Sequence, residues 1–187
     1  MSWTNFQNRG EVLRAVIATA DARRDGVLPL DVDGVAETFG DAMTLLGALQ
    51  LRWHTRLAGR IEQELMHQPM NLEEAVIAAW HATADELPGI LAIVDHYRAE
   101  PIDNEMALAM LKSAHNEHLL LAVMAGKGSL EDEAAARAGA QLEAKARATH
   151  VPTPHASVAR IPQGGRHAAH THHVRLMFDR LKAVLAA

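Results

Sequence analysis

The chain has no cysteine. That excludes disulfide staples, thiolate metal sites and thiol nucleophiles together, and it suits a reducing compartment. Aromatic residues are also scarce, at 4% of the chain, and clusters of β-branched or aromatic residues, the mark of strands, are few. No apolar run reaches the 18 residues that a membrane-spanning helix needs. The opening Met1-Ser2-Trp3-Thr4-Asn5-Phe6-Gln7 lacks the basic-then-apolar order of a signal peptide. These absences predict a soluble, cytoplasmic protein. Catalytic signatures are missing as well. Ser2, Ser113, Ser129 and Ser157 lack a nucleophile-elbow context, and no glycine loop is built to cradle phosphate.

What the chain does have is helical periodicity. Its 187 residues are 49% apolar, enough for one domain with a real core. Apolar residues recur at spacings of three and four, which predicts an all-α fold. The first helix is expected over about 4–24, with Asp25-Gly26 as its stop. A stripe from Val35 through Phe39, Leu46, Leu49, Trp53, Leu57 and Ile61 to Leu65 predicts a long second helix with a break available at Gly40-Asp41. Asn71 and Glu74 are placed to start the next helix, Pro88 to kink or split it, and Pro101 to end it. Asp103 is placed to cap a helix whose inner face is Met106, Met110, Leu111, Ala114, Leu121 and Met124. A fifth, alanine-rich helix should begin near Ser129 and close with Lys145 and Arg147. The expected architecture is an antiparallel bundle of five to six helices with a long central helix, spanning 1–148. A Pro/Gly/His-rich linker (149–169) follows, then a C-terminal amphipathic helix (170–187).

Charge divides the chain unevenly. Residues 1–144 carry 11 basic and 22 acidic side chains, whereas 145–187 carry seven basic side chains and one acid, with six of the twelve histidines. Such a tail seeks an acidic surface, more strongly as its imidazoles protonate. Its only aromatic, Phe178, lies on the apolar stripe, so neither nucleic acid nor membrane is the expected target. The stripe of Val174, Met177, Phe178, Leu181, Val184 and Leu185 instead predicts docking on an acidic bundle, its own or that of a second copy in a homodimer.

Three groups could carry chemistry inside the bundle. Glu64-Leu65-Met66-His67 places a carboxylate and an imidazole three apart on the long helix, where both project toward the seam. Over these four residues the fragment resembles half of the ferritin-like di-iron motif; that pattern needs a second E-x-x-H, which this chain lacks. The alternative for Glu64 is an ion pair with Arg60. His54, His81 and His118 each stand one residue beyond a seam position, and counting from the turns places residue 117 level with about residues 85 and 55. Three imidazoles in one layer would suit zinc, nickel or iron, while each could instead hydrogen-bond a neighbouring helix. Glu117 lines up with Met110 and Leu121 and so faces inward, where pairing with Arg56, Arg60 or a neighbouring histidine is expected. The leading functional expectation is a non-enzymatic interaction or scaffold protein; the alternative is a metal-binding bundle, possibly an enzyme, using His54, His81 and His118 or Glu64 and His67.

Overall fold

A computed structural model describes residues 3–129 and 133–153, with side chains for 9–129 and 134–153. The expected C-terminal helix and most of the linker lie outside the described residues. Within them the protein is all-helical: α1 (Trp3–Arg23), α2 (Val35–Phe39), α3 (Ala42–His67), α4 (Leu72–Glu86), α5 (Pro88–Ala99), α6 (Asn104–Met124) and α7 (Glu133–Thr149). The described residues hold seven helices, because the breaks expected at Gly40-Asp41 and Pro88 are both complete.

The first break falls at Gly40, whose φ of 77° is a left-handed conformation that glycine adopts without strain. Asp41 then restarts the chain as the N-cap of α3, its carboxylate accepting from Thr44 N–H at 2.6 Å. The second falls at Pro88, which has no N–H to continue α4 and opens α5 from its first position. The free amide of Gly89 there is taken by Asp21 of α1 at 2.8 Å, so a carboxylate from another helix does the capping. Asp103 caps α6 as its position implied, accepting from Met106 N–H at 2.8 Å. Asn71 precedes α4 without a side-chain capping bond.

α3 and α4 form a helical hairpin joined by residues 68–71, and α6 and α7 form a second one. Contacts Gln50–Met110 and His54–Glu117 climb α3 and α6 in step, so these two helices run parallel with α4 and α7 antiparallel to their hairpin partners. The core is built from Leu45, Leu46, Leu49, Leu57 and Ile61 of α3, Val76 of α4, Ile90 and Ile93 of α5 and Leu121 of α6. Trp53 and Trp80 meet edge to face at its centre, ring centroids 6.1 Å apart. Leu111 departs from the expected inner face: it and Leu108 point outward, 67% and 68% exposed.

Two glycines set how closely helices approach. A Cβ on Gly139 of α7 would fall on the backbone carbonyl of His118 in α6, and one on Gly89 would fall on the backbone of Ala20. The alanine-rich face of α7 therefore packs backbone to backbone, with Ala135 against Leu119 and Ala122. Gly59, in the middle of α3, has nothing within 4 Å of where its Cβ would lie. Gly139→Ala should lower stability by about 1–3 kcal/mol through overpacking, whereas Gly59→Ala should raise it by roughly 0.5–1 kcal/mol through chain entropy and helix propensity. Denaturant unfolding of the two variants beside the parent checks both signs.

Candidate functional site, a buried ionic seam

Polar residues of four helices, α3, α5, α6 and α7, meet in a single seam. Glu117 of α6 is 2% exposed. Its Oε2 accepts from Trp53 Nε1 at 3.2 Å and from His54 Nε2 at 3.1 Å, both on α3, and lies 3.7 Å from Arg98 Nη2 on α5. Arg98 then bridges to the second buried carboxylate, donating from Nη1 to Glu143 of α7 at 2.8 Å. Glu143 also accepts from His118 Nε2 at 2.6 Å and from Arg147 Nε and Nη2 at 2.9 and 2.8 Å. Arg147 closes the seam with a bidentate pair to Asp95 of α5 at 2.9 and 2.7 Å, and its guanidinium lies 5.2 Å from the centre of the Trp80 ring.

Burial alone would push the Glu143 carboxyl up. The His118 hydrogen bond and the Arg98 and Arg147 guanidiniums outweigh it and hold Glu143 well below the usual carboxylate range. The reciprocal effect raises Arg147: desolvation opposes its charge, and bonds to Asp95 and Glu143 overcome that. A smaller ionic node ties the ends of α4, α6 and α7, where Lys127 and Lys145 bring Glu73 down to about 2. Three buried donors, Arg60 Nε, Trp80 Nε1 and Arg98 Nε, have no partner among the described residues.

The three imidazoles expected in one layer each serve a different acceptor. His54 turns Nε2 to Glu117 and His118 turns Nε2 to Glu143. His81 turns Nε2 to the Ala146 carbonyl of α7 at 2.8 Å. Each thus bonds a neighbouring helix, as their boundary positions allowed. Glu64 is half-buried and His67 exposed; His67 donates from Nδ1 to Gln63 O of its own helix at 2.8 Å. The expected Glu64–Arg60 pair is not formed. Arg60 reaches across the hairpin to Glu86 at 2.8 Å, where Arg56 also binds, because the α4 carboxylate lies within reach of both guanidiniums. Among the described residues, no group of three or more His, Asp or Glu side chains is arranged to hold a metal ion.

Sequence reasoning found His54, Glu117 and His118 but missed Arg98, Asp95 and Glu143. The available signal was Glu143 with Arg147 four residues on, within an otherwise alanine-rich helix. Arg147 and Lys145, which charge counting assigned to the tail, belong to the bundle, as does His150, whose Nε2 lies 3.0 Å from Asp85 Oδ1. Met1–Val151 accordingly forms one compact unit. Comparison with protein-family models, with curated proteins and with solved structures finds no match.

The seam makes a signed prediction for acid stability. Glu143 and Glu73 sit below their ordinary range in the fold, so the unfolded chain takes up these protons first. Their stabilisation is complete above about pH 5 and is lost as pH falls toward about 2. Glu143→Gln should destabilise by roughly 1–3 kcal/mol at pH 7, because it removes the carboxylate shared by Arg98, His118 and Arg147 and leaves the guanidiniums only Glu117 and Asp95, and its unfolding free energy should vary less with pH between about 5 and 2 than that of the parent. Urea titrations across this range measure both effects.

Proposed function

We propose that the protein is a non-enzymatic helical-bundle interaction protein, a homodimer whose basic, histidine-rich C-terminal segment docks on the acidic surface of the bundle. The observation that carries this reading is how the interior polar groups are used. Glu117 and Glu143, the buried carboxylates best placed for acid–base work, are both neutralised by donors from neighbouring helices. Chemistry of that kind holds helices together and leaves recognition to the outside.

The outer surface offers a matching strip at the α5–α6 turn. Ile102, Leu108 and Leu111 are 64%, 68% and 67% exposed, with Glu100, Asp103 and Glu105 exposed around them. Apolar side chains bordered by carboxylates complement a segment that alternates Val174, Met177, Phe178 and Leu181 with Arg175, Arg180 and Lys182. Beyond residue 153 the chain carries five basic side chains and one acid, so the attraction should weaken with salt over a screening length of about 10 Å at 0.1 M.

Hydrogen exchange of the full chain should show protection at 100–112 that falls as salt rises from about 0.05 to 0.5 M. A Leu108→Glu/Leu111→Glu variant should lose that protection and the dimer while keeping the parent's helicity, because both side chains are exposed. Protection indifferent to salt and to this double substitution would overturn the reading.

A further inference from the structure

A second polar cluster lies outside the seam, where α7 ends beside α4. His81 of α4 and His150, the residue after α7, face each other with ring centroids 5.3 Å apart and planes inclined at 37°. Both flank Trp80, at 6.1 and 5.8 Å between centroids. Their hydrogen bonds fix their tautomers. The Ala146 carbonyl only accepts, so the His81 Nε2 that meets it at 2.8 Å must carry the hydrogen. The Asp85 carboxylate imposes the same on His150 Nε2 at 3.0 Å. In a neutral imidazole the lone pair is then on Nδ1. Both rings thus present an Nδ1 lone pair, and each donates its other N–H to a carbonyl or carboxylate, the supporting arrangement typical of metal-ligating histidines.

We propose that His81 and His150 bind one divalent transition-metal ion of imidazole-seeking character, copper(II) or zinc, through their Nδ1 atoms. Solvent completes the coordination, since the His150 side chain is 14% exposed and that of Asp85 is 25% exposed. A tetrahedral ion about 2.0–2.1 Å from each nitrogen places two imidazole centroids roughly 5 Å apart, close to the spacing found. The ion takes lone pairs that these tautomers leave unprotonated, so neither hydrogen bond is broken. It differs from a three-imidazole site of His54, His81 and His118, and it stands whether or not the C-terminal segment docks. Its effect is to clip the residue that follows α7 to α4.

The test uses the full chain with His155, His167, His170, His172 and His173 changed to Asn, which removes the tail imidazoles as competitors. Copper(II) quenches tryptophan fluorescence at short range, and Trp80 is the reporter. One equivalent of copper(II) should quench saturably, and zinc should compete the quenching away. His81→Asn and His150→Asn should each weaken binding by about tenfold or more, against the 10- to 100-fold typical of losing even a supporting partner, while His115→Asn, exposed on α6, should not. Since His81 also braces Ala146, His150→Asn decides the matter if His81→Asn unfolds. Quenching that never saturates, or that survives His150→Asn in a folded chain, would overturn the proposal.

Discussion

The bundle depends on one requirement, that the carboxylate of Glu143 be neutralised inside it. An ionised carboxylate in a poorly polarisable interior carries a solvation penalty of several kcal/mol even after relaxation. Here the compensation comes from three helices at once: Arg98 of α5, His118 of α6 and Arg147 of α7 itself. Arg98 has Glu117 as a second carboxylate, and Arg147 has Asp95. Removing any one of these partners leaves another charge exposed to the same penalty. The seam is therefore a specification of which helix faces which, more than a source of net stability.

Shape and charge cooperate in this. The alanine-rich face of α7, with Gly139, lets its backbone touch that of α6, and that closeness brings Glu143 within hydrogen-bond reach of His118. Bulkier residues at these positions would hold α7 away and part Glu143 from His118 and Arg98, leaving it only Arg147 of its own helix. Nearer the start of α6, Leu108 and Leu111 remain largely exposed.

Much of the fold was legible because local rules are strong where they act. Gly40, Asp41, Pro88 and Asp103 punctuate helices by backbone stereochemistry and capping, which need no knowledge of neighbours. The level of Glu117 opposite His54 followed from counting 1.5 Å per residue back from short turns. Arg98, Asp95 and Glu143 were not legible, since their meeting depends on the rotation of α5 and α7 about their axes. Alanine-rich α7 has a weak apolar stripe, so sequence does not say which side it buries. The Arg60 pairing failed for a related reason: an i,i+4 neighbour was assumed, and a carboxylate across the hairpin satisfied the guanidinium instead. Leu111 misled because periodicity assigns a face to every leucine but says nothing of the level along the helix at which that face is covered.

The contact between Gly139 and His118 has a mechanical consequence. Helices separated by long side chains accommodate sliding through rotamer changes, whereas helices in backbone contact have no such slack, and relative motion comes in discrete steps of register. α6 and α7 therefore pack as one unit at this contact. Glu117 and His118 on α6 and Glu143 on α7 are thereby held at one fixed spacing, and Arg98 of α5 meets both carboxylates as parts of the same paired unit.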